Sequence, residues 1–244
     1  MKISVITPVR DPDSTYIQNI KTYFPPLLCG EMELEYLNHE LGFPYVESQL
    51  HGLFNGALVV SLAVKAAALG ADGIFINCFD DPAVYACREV LDIPVFGAYE
   101  ASILTALSVS DRVGIITTDT AGILSEERKA RQLGLLGRIA AIKAVDMDVA
   151  HVVENDELAQ KLAGACLTLW NDDQVGCAVL GCTGMQGAVL ELRRELNRLG
   201  CPIAVVEPAA AGISWLERLI RLGLTNSLHT GLDMENLKGI LNEN

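Results

Sequence analysis

The chain has 244 residues, of which 50% are apolar, and 31 acidic against 18 basic residues give it a formal net charge of −13. This length and composition allow a sizeable buried core and are typical of a globular protein with one large or two small domains. The acidic balance and the lack of a Lys/Arg cluster disfavour contact with a phosphate backbone, so we expect no nucleic-acid partner.

The sequence predicts neither a targeting segment nor a membrane span. The first apolar stretch ends at Arg10 and Asp11, and the longest apolar region is interrupted by Lys65 and Asp72. The seven cysteines form no C-x-x-C pair and no cluster with histidine at zinc spacing, so we expect no disulfide and no metal site. We therefore predict a cytoplasmic protein. The cysteines are Cys29, Cys78, Cys87, Cys166, Cys177, Cys182 and Cys201.

Short apolar runs alternate with helix-length segments, a pattern typical of parallel strands joined by crossover helices. The runs are KISVITP, ADGIFINC, IPVFGAY, DRVGIITT, VGCAVLGC and CPIAVVEP. The last three runs repeat the pattern of the first three. The sequence thus predicts an α/β fold of two related halves, a first domain of residues 1–100 plus 208–244 and a second domain of residues 101–207.

The strand ends of the two halves lie at nearly constant offsets. Thr7 and Thr117 are 110 residues apart (117 − 7), and Cys78 and Cys182 are 104 apart (182 − 78). In the third strand we align Pro94 with Pro202, an offset of 108 (202 − 94). Ligands of open parallel sheets bind at the carboxyl ends of the strands. A pseudo-two-fold axis between the halves would therefore bring the two thiols to one pocket.

Helix N-termini are predicted close to both thiols. Asp81 is a suitable N-cap, Pro82 suits the first helical position, and Cys78 would then lie within about one turn of a helix start. The segment TGMQGAVLELRRELNRLG after Cys182 indicates a turn of small residues that leads into an amphipathic helix. Backbone N–H groups at such positions stabilise an anion, either a thiolate or a substrate oxygen.

Two thiols on opposite faces of one carbon can remove a proton from one side and return it on the other, which inverts a stereocentre. The ordinary thiol pKa of about 8.5 allows one thiolate and one thiol to coexist near neutral pH. The developing enolate needs hydrogen-bond donors, and hydroxyls at the strand ends could supply them. The candidate donors are Thr7, Thr117, Thr118 and Thr183. No cofactor is predicted.

Two other readings of the same residues remain open. One thiolate could add covalently to a double bond, as in a cis–trans isomerase of the maleate type. Alternatively, the chain could be a binding module that keeps the cleft for a small ligand without any chemistry. The other cysteines, including Cys87, Cys166 and Cys177, are expected to be buried, unreactive thiols.

The segments INCFDDPAVYACREVLDIPVFGAYEAS and VLGCTGM resemble the aspartate/glutamate/hydantoin racemase superfamily, and most of all its hydantoin/allantoin racemase branch. The resemblance implies two flavodoxin-like α/β domains with the active site between them, and Cys78 and Cys182 as opposed acid and base. It further implies that backbone amides around Phe79, Thr183 and Gly184 hold a small carbonyl substrate, and that the protein is a homo-oligomer.

The loop after the first strand departs from the pattern of that branch. Hydantoin-type racemases usually carry an N-P-N motif there, and this chain has Thr7, Pro8 and Val9. Because the loop contacts substrate in the family, Thr7 and Pro8 are candidate substrate-binding residues, and the substrate stays open among hydantoins, allantoin and amino acids. Arg10 could pair with an anionic group or be a solvated loop charge.

Overall fold

The structure is a computed structural model that describes residues 1–23, 32–153 and 157–226. Cys29 and residues 227–244 of the predicted first domain lie outside the described residues. The strands are β1 (Lys2–Arg10), β2 (Glu33–His39), β3 (Gly73–Ile76), β4 (Val95–Gly97), β5 (Val113–Thr117), β6 (Ile139–Ala144), β7 (Cys177–Leu180) and β8 (Ala204–Val206). The helices are α1 (Thr15–Tyr23), α2 (Gln49–Ala68), α3 (Val84–Val90), α4 (Ala98–Leu107), α5 (Thr120–Gln132), α6 (Leu158–Asn171), α7 (Val189–Leu199) and α8 (Pro208–Arg221).

The strands form two four-stranded parallel sheets of the same topology. Their orders are β2-β1-β3-β4 and β6-β5-β7-β8, and every pairing within them is parallel. The strands β3, β5 and β7 are buried along their whole length, which explains why their sequences are continuous apolar runs. The predicted α/β class with parallel sheets is therefore confirmed.

The strand registers fix how the two halves correspond. Ile6 pairs with Ile76, and Ile116 pairs with Leu180, so the predicted offsets of 110 (116 − 6) and 104 (180 − 76) hold for the first two strands.

The third strands of the two halves, β4 and β8, correspond in a register that differs from our alignment. Ile74 pairs with Val95 and Ala178 pairs with Val205, an offset of 110 (205 − 95). Pro94 thus corresponds to Ala204, and its alignment with Pro202 is wrong by two residues. A shift of two keeps each side chain on the same face of the strand, so the hydrophobic pattern alone does not reveal it.

The chain divides into two compact units, one of Met1–Ala98 with the chain from Gly212 onwards, and one of Tyr99–Ala211. In the first unit, α2 packs on the sheet through Val59, Ala63 and Val64, which share a core with Ile74 and Ile76.

The end of α8 also packs within the first unit. Gly212 lies against the ring of Phe75, where a larger residue would overlap it, and Trp215 stacks on Phe96 with ring centroids 5.8 Å apart.

In the second unit, α6 and α7 cover one face of the sheet. Their buried residues, including Leu162, Leu169 and Leu192, share a core with Ala178 and Leu180 of β7.

The helix α2 is longer and more apolar than the sequence pattern indicated. It spans 20 residues with a mean hydropathy of 1.4 in its most apolar window, so by length and composition alone it could cross a membrane. We expected Lys65 to interrupt this region, but the helix continues to Ala68 with that lysine as its single charge. Only 33% of the window is buried inside the structure.

Candidate active site

Cys78 and Cys182 occupy equivalent positions at the carboxyl ends of two strands. Asn77 follows β3 and Gly181 follows β7, and their backbone N–H groups donate to carbonyls of β1 and β5 at 2.8 and 2.7 Å. Each cysteine is the next residue in the chain. Each thiol thus lies at the edge of its own sheet where parallel α/β proteins bind ligands.

Exposure separates these two thiols from the other described cysteines. Cys78 and Cys182 are half-buried, whereas four others are buried. The buried ones are Cys87, Cys166, Cys177 and Cys201. Burial raises the pKa of the Cys87 and Cys166 thiols to about 12 and the pKa of Cys177 to about 11. These three are therefore thiols at neutral pH, as expected of structural cysteines.

The Cys182 thiol lies at the start of a helical run. Its Sγ accepts a hydrogen bond from the backbone N–H of Gly184 at 3.4 Å, and Thr183–Ala188 form a 3₁₀ segment that continues into α7. An N–H donor and the positive end of a helix dipole both favour a thiolate. Thr183 is buried beside it.

The surroundings of Cys78 differ from the prediction. Its carbonyl accepts a hydrogen bond from the N–H of Asp81 at 3.1 Å, which closes a tight turn around the buried Phe79. α3 begins only at Val84, with Ala83 as its N-cap in the left-handed region and no side-chain cap. The predicted N-cap at Asp81 is therefore wrong, and Cys78 lies further than one turn from the helix start.

Asp81 instead packs against the end of β4. Its φ of 47° is left-handed, and its carboxylate lies where the Cβ of any residue other than glycine at position 97 would be. Gly97 thus makes room for the turn that carries Cys78.

Of the two threonines predicted at strand ends, Thr117 ends β5 as expected, whereas the place of Thr7 is wrong, because β1 continues through an irregular stretch to Arg10. Both threonines are buried, and Thr7 Oγ1 accepts a hydrogen bond from Asn77 Nδ2 at 3.4 Å. The carbonyls of Thr117 and Thr118 accept hydrogen bonds from the segment that follows β6, at 3.1 and 3.0 Å. Their role in binding substrate stays a prediction.

The irregular last part of β1 is held by a residue that the sequence analysis missed. Asn55 of α2 is buried, and its Nδ2 donates to the carbonyls of Pro8 and Phe43 at 2.8 and 3.1 Å, while its Oδ1 accepts from the N–H of Phe43 at 2.9 Å. The sequence signal that could have identified Asn55 is a polar residue within the otherwise apolar helix α2. Arg10, the last residue of β1, is exposed and donates to the carbonyl of Glu40 at 3.2 Å.

Glu207 is a second missed residue. It follows β8, it is buried, and at the same offset of 110 (207 − 97) it corresponds to Gly97, the last residue of β4. Its two carboxylate oxygens accept the N–H groups of Ala209 and Ala210 at 2.8 and 2.7 Å, which caps α8. Burial raises the pKa of the Glu207 carboxyl, although these two donors and Arg193 act in the opposite direction.

The predicted site residues fall into one set in each unit. In the first unit Thr7 and Pro8 lie within β1, and Cys78 and Phe79 follow β3. In the second unit Thr117 ends β5, and the residues that follow strands are Thr118, Cys182, Thr183 and Gly184. Within residues 1–23, 32–153 and 157–226, no three His, Cys, Asp or Glu side chains are arranged to hold a metal ion.

Comparison with known proteins identifies similar chains. A family model described as Asp/Glu/Hydantoin racemase matches residues 13–216. A hydantoin racemase of Rhizobium meliloti is 28% identical over 164 residues, which cover 67% of this chain and 66% of that protein. A hydantoin racemase of Paenarthrobacter aurescens is 32% identical over 162 residues, which cover 64% of each chain. The matched segments thus span just under two thirds of the length of both relatives.

The likeness extends to a solved structure. An allantoin racemase from Klebsiella pneumoniae has a TM-score of 0.85 to this chain at 28% identity, covering 94% of this chain and 91% of that one. The two proteins therefore share the α/β fold with its parallel sheets.

Proposed function

The chain belongs to the Asp/Glu/Hydantoin racemase family, and from that premise we propose that it is a racemase or epimerase that works without a cofactor. The proposal rests on one observation above all. Of the six described cysteines, the two half-buried ones follow equivalent strands of the two sheets.

The proposed reaction is proton transfer at a carbon next to a carbonyl group. The thiolate of one cysteine, Cys78 or Cys182, takes the proton, the electron pair moves onto the carbonyl oxygen as an enolate, and the thiol of the other protonates the opposite face of the carbon. The product is the mirror-image stereocentre, and the two sulfur atoms have exchanged protonation states. General acid–base catalysis of this kind contributes about 10²–10⁴-fold to a rate.

The enolate oxygen needs fixed donors, and the second unit has a backbone N–H group, that of Gly184, beside the Cys182 thiol. The helical run that begins at Thr183 supports this role in the second unit, since amides at a helix start stabilise developing negative charge. We propose that Thr183 and Gly184 bind the carbonyl group, and that Thr7, Pro8, Phe79, Thr117 and Thr118 shape the rest of the site.

We further propose that the substrate is a hydantoin ring with one substituent at the stereogenic carbon. Relatives named for hydantoin and for allantoin support this class, because allantoin is itself a substituted hydantoin. A homo-oligomeric state is also proposed, and a cytoplasmic location stays a prediction.

Incubation with single enantiomers of substituted hydantoins and of allantoin in deuterium oxide tests the proposal. We expect deuterium at the stereogenic carbon together with loss of optical rotation, and a decrease in kcat of about 1,000-fold or more in Cys78→Ser and in Cys182→Ser. The matched control is Cys201→Ala, which removes a buried thiol away from the strand ends.

Several outcomes would contradict the proposed function. Lack of deuterium incorporation with these ligands and with acidic amino acids would exclude racemisation. Tight binding without exchange would favour a binding module, and a covalent mass on one cysteine after incubation with maleate would favour the cis–trans isomerase.

A further inference from the structure

The helix α2 has an apolar outer face in addition to its buried inner face. Leu50, Leu53 and Phe54 lie at helical spacing on one side, and they are 63%, 77% and 52% exposed. On the opposite side, Val59 and Ala63 pack in the core of the first unit. A helix that is apolar all round is normally buried all round. Within residues 1–23, 32–153 and 157–226, one face of α2 therefore lacks the cover that its composition calls for.

The segment before α2 extends this face. The Phe43 ring lies between His51 and Phe54, with centroids 4.3 and 5.6 Å away. Gly42 packs against the side chains of Asn55 and Leu58, which holds the preceding residue beside the helix. That residue, Leu41, is 69% exposed. We call the exposed set, Leu41, Leu50, Leu53 and Phe54, the α2 patch.

The α2 patch carries no formal charge. Between Glu47 and Lys65 the sequence contains no Asp, Glu, Lys or Arg, although the chain as a whole carries −13, and only Leu41, which follows Glu40, lies outside this stretch. Other exposed leucines have charged neighbours on their helices, such as Leu124 near Glu127 and Leu190 beside Glu191. Isolated exposed leucines of that kind are ordinary, whereas a continuous uncharged patch marks a contact surface.

The area of the α2 patch suits a contact between two copies of the chain. At about 150–200 Å² for each fully exposed large side chain, its four members offer roughly 400–500 Å². A homodimer interface buries about 800 Å² on each subunit, of which about 65% is apolar. The patch thus supplies nearly all the apolar area that such an interface requires.

We propose that two copies of this chain associate through their α2 patches about a two-fold axis. In an isologous contact the same patch on each subunit faces its copy on the other. Because the side chains of the α2 patch are uncharged, they bring no like charges together across such a contact. An anionic membrane surface would repel a chain of charge −13, and a helix that lies on a membrane needs a basic polar face. The opposite face of α2 is instead the apolar core of its unit.

The α2 patch gives the proposed homo-oligomer a defined contact surface, and this association does not depend on the proposed reaction. The test is sedimentation of the full chain over a concentration series, with Leu53→Glu and the uncharged Leu53→Gln beside wild type. We expect wild type at no less than twice the 26.3 kDa of one chain. Both subunits contribute Leu53 to a two-fold contact, so the substitution removes two buried leucines from each dimer. The dissociation constant should therefore rise about 100-fold or more in Leu53→Glu.

The matched control is Leu190→Glu, because Leu190 is 66% exposed on α7 of the other unit. It should associate like wild type, and circular dichroism should show all variants folded. A monomeric wild type would overturn the proposal, as would equal dissociation constants for Leu53→Glu and Leu190→Glu. Sedimentation of a monomeric wild type with anionic phospholipid vesicles would assign the α2 patch to a membrane instead.

Discussion

At the scale of single residues, the cysteines divide by burial. Burial raises the pKa of Cys87 and of Cys166 to about 12, so both remain thiols at pH 7. Cys78 and Cys182 are half-buried at strand ends. We expect iodoacetamide to alkylate these two at least about 100-fold faster than Cys87 and Cys166 in the folded protein, measured by mass spectrometry of tryptic peptides.

The control for this labelling is the same reaction in denaturant, where all thiols are exposed and should react at similar rates. Labelling of Cys87 as fast as Cys182 in the folded protein would contradict the burial argument. Protection of Cys78 and Cys182 by a bound hydantoin would support their place in the site.

At the scale of elements, the ends of β3 and β7 differ although the strands correspond. Asn77 follows β3, whereas Gly181 follows β7, where an added Cβ would lie 2.8 Å from the carbonyl oxygen of Ile116 and 3.0 Å from the Cα of Thr117. Backbone atoms in a central strand cannot move aside as a side chain can. We therefore expect Gly181→Ala to lower the free energy of unfolding by about 1–3 kcal/mol.

Urea unfolding measures this change, and Gly164→Ala on α6 is the matched control. A Cβ there meets open space, so that variant should be stabilised by about 0.5–1 kcal/mol because alanine favours the helix. Equal effects of the two substitutions would show that the end of β7 is less rigid than its packing implies.

At the scale of the whole molecule, charge and apolar surface act in opposite directions. Two copies, each of charge −13, repel one another, whereas burial of their two apolar α2 patches favours association. Salt screens the repulsion and leaves apolar burial intact. We expect the dissociation constant of the proposed dimer to fall as NaCl rises from 50 to 500 mM, measured by sedimentation. Weaker association at high salt would indicate an interface held by ion pairs.

Much of the fold was predictable because parallel strands covered on both faces must be apolar throughout. The runs that end at Ile76 and Leu180 carry that signature, and the family assignment is confirmed. The sequence also indicated which cysteines to single out, since Cys78 and Cys182 each follow such a run. The wrong N-cap at Asp81 arose because a local preference for capping yielded to packing against Gly97.

The sequence by itself determined the fold class, the repeat and the two candidate thiols, because strand burial and strand ends are local patterns. Only the tertiary structure decided that Asn55 binds the carbonyl of Pro8 in β1, that Glu207 caps α8, and that the described part of the chain leaves one face of α2 exposed. Each of these depends on which surfaces meet between segments distant in the chain. An apolar helix has the same sequence whether its outer face is covered or bare.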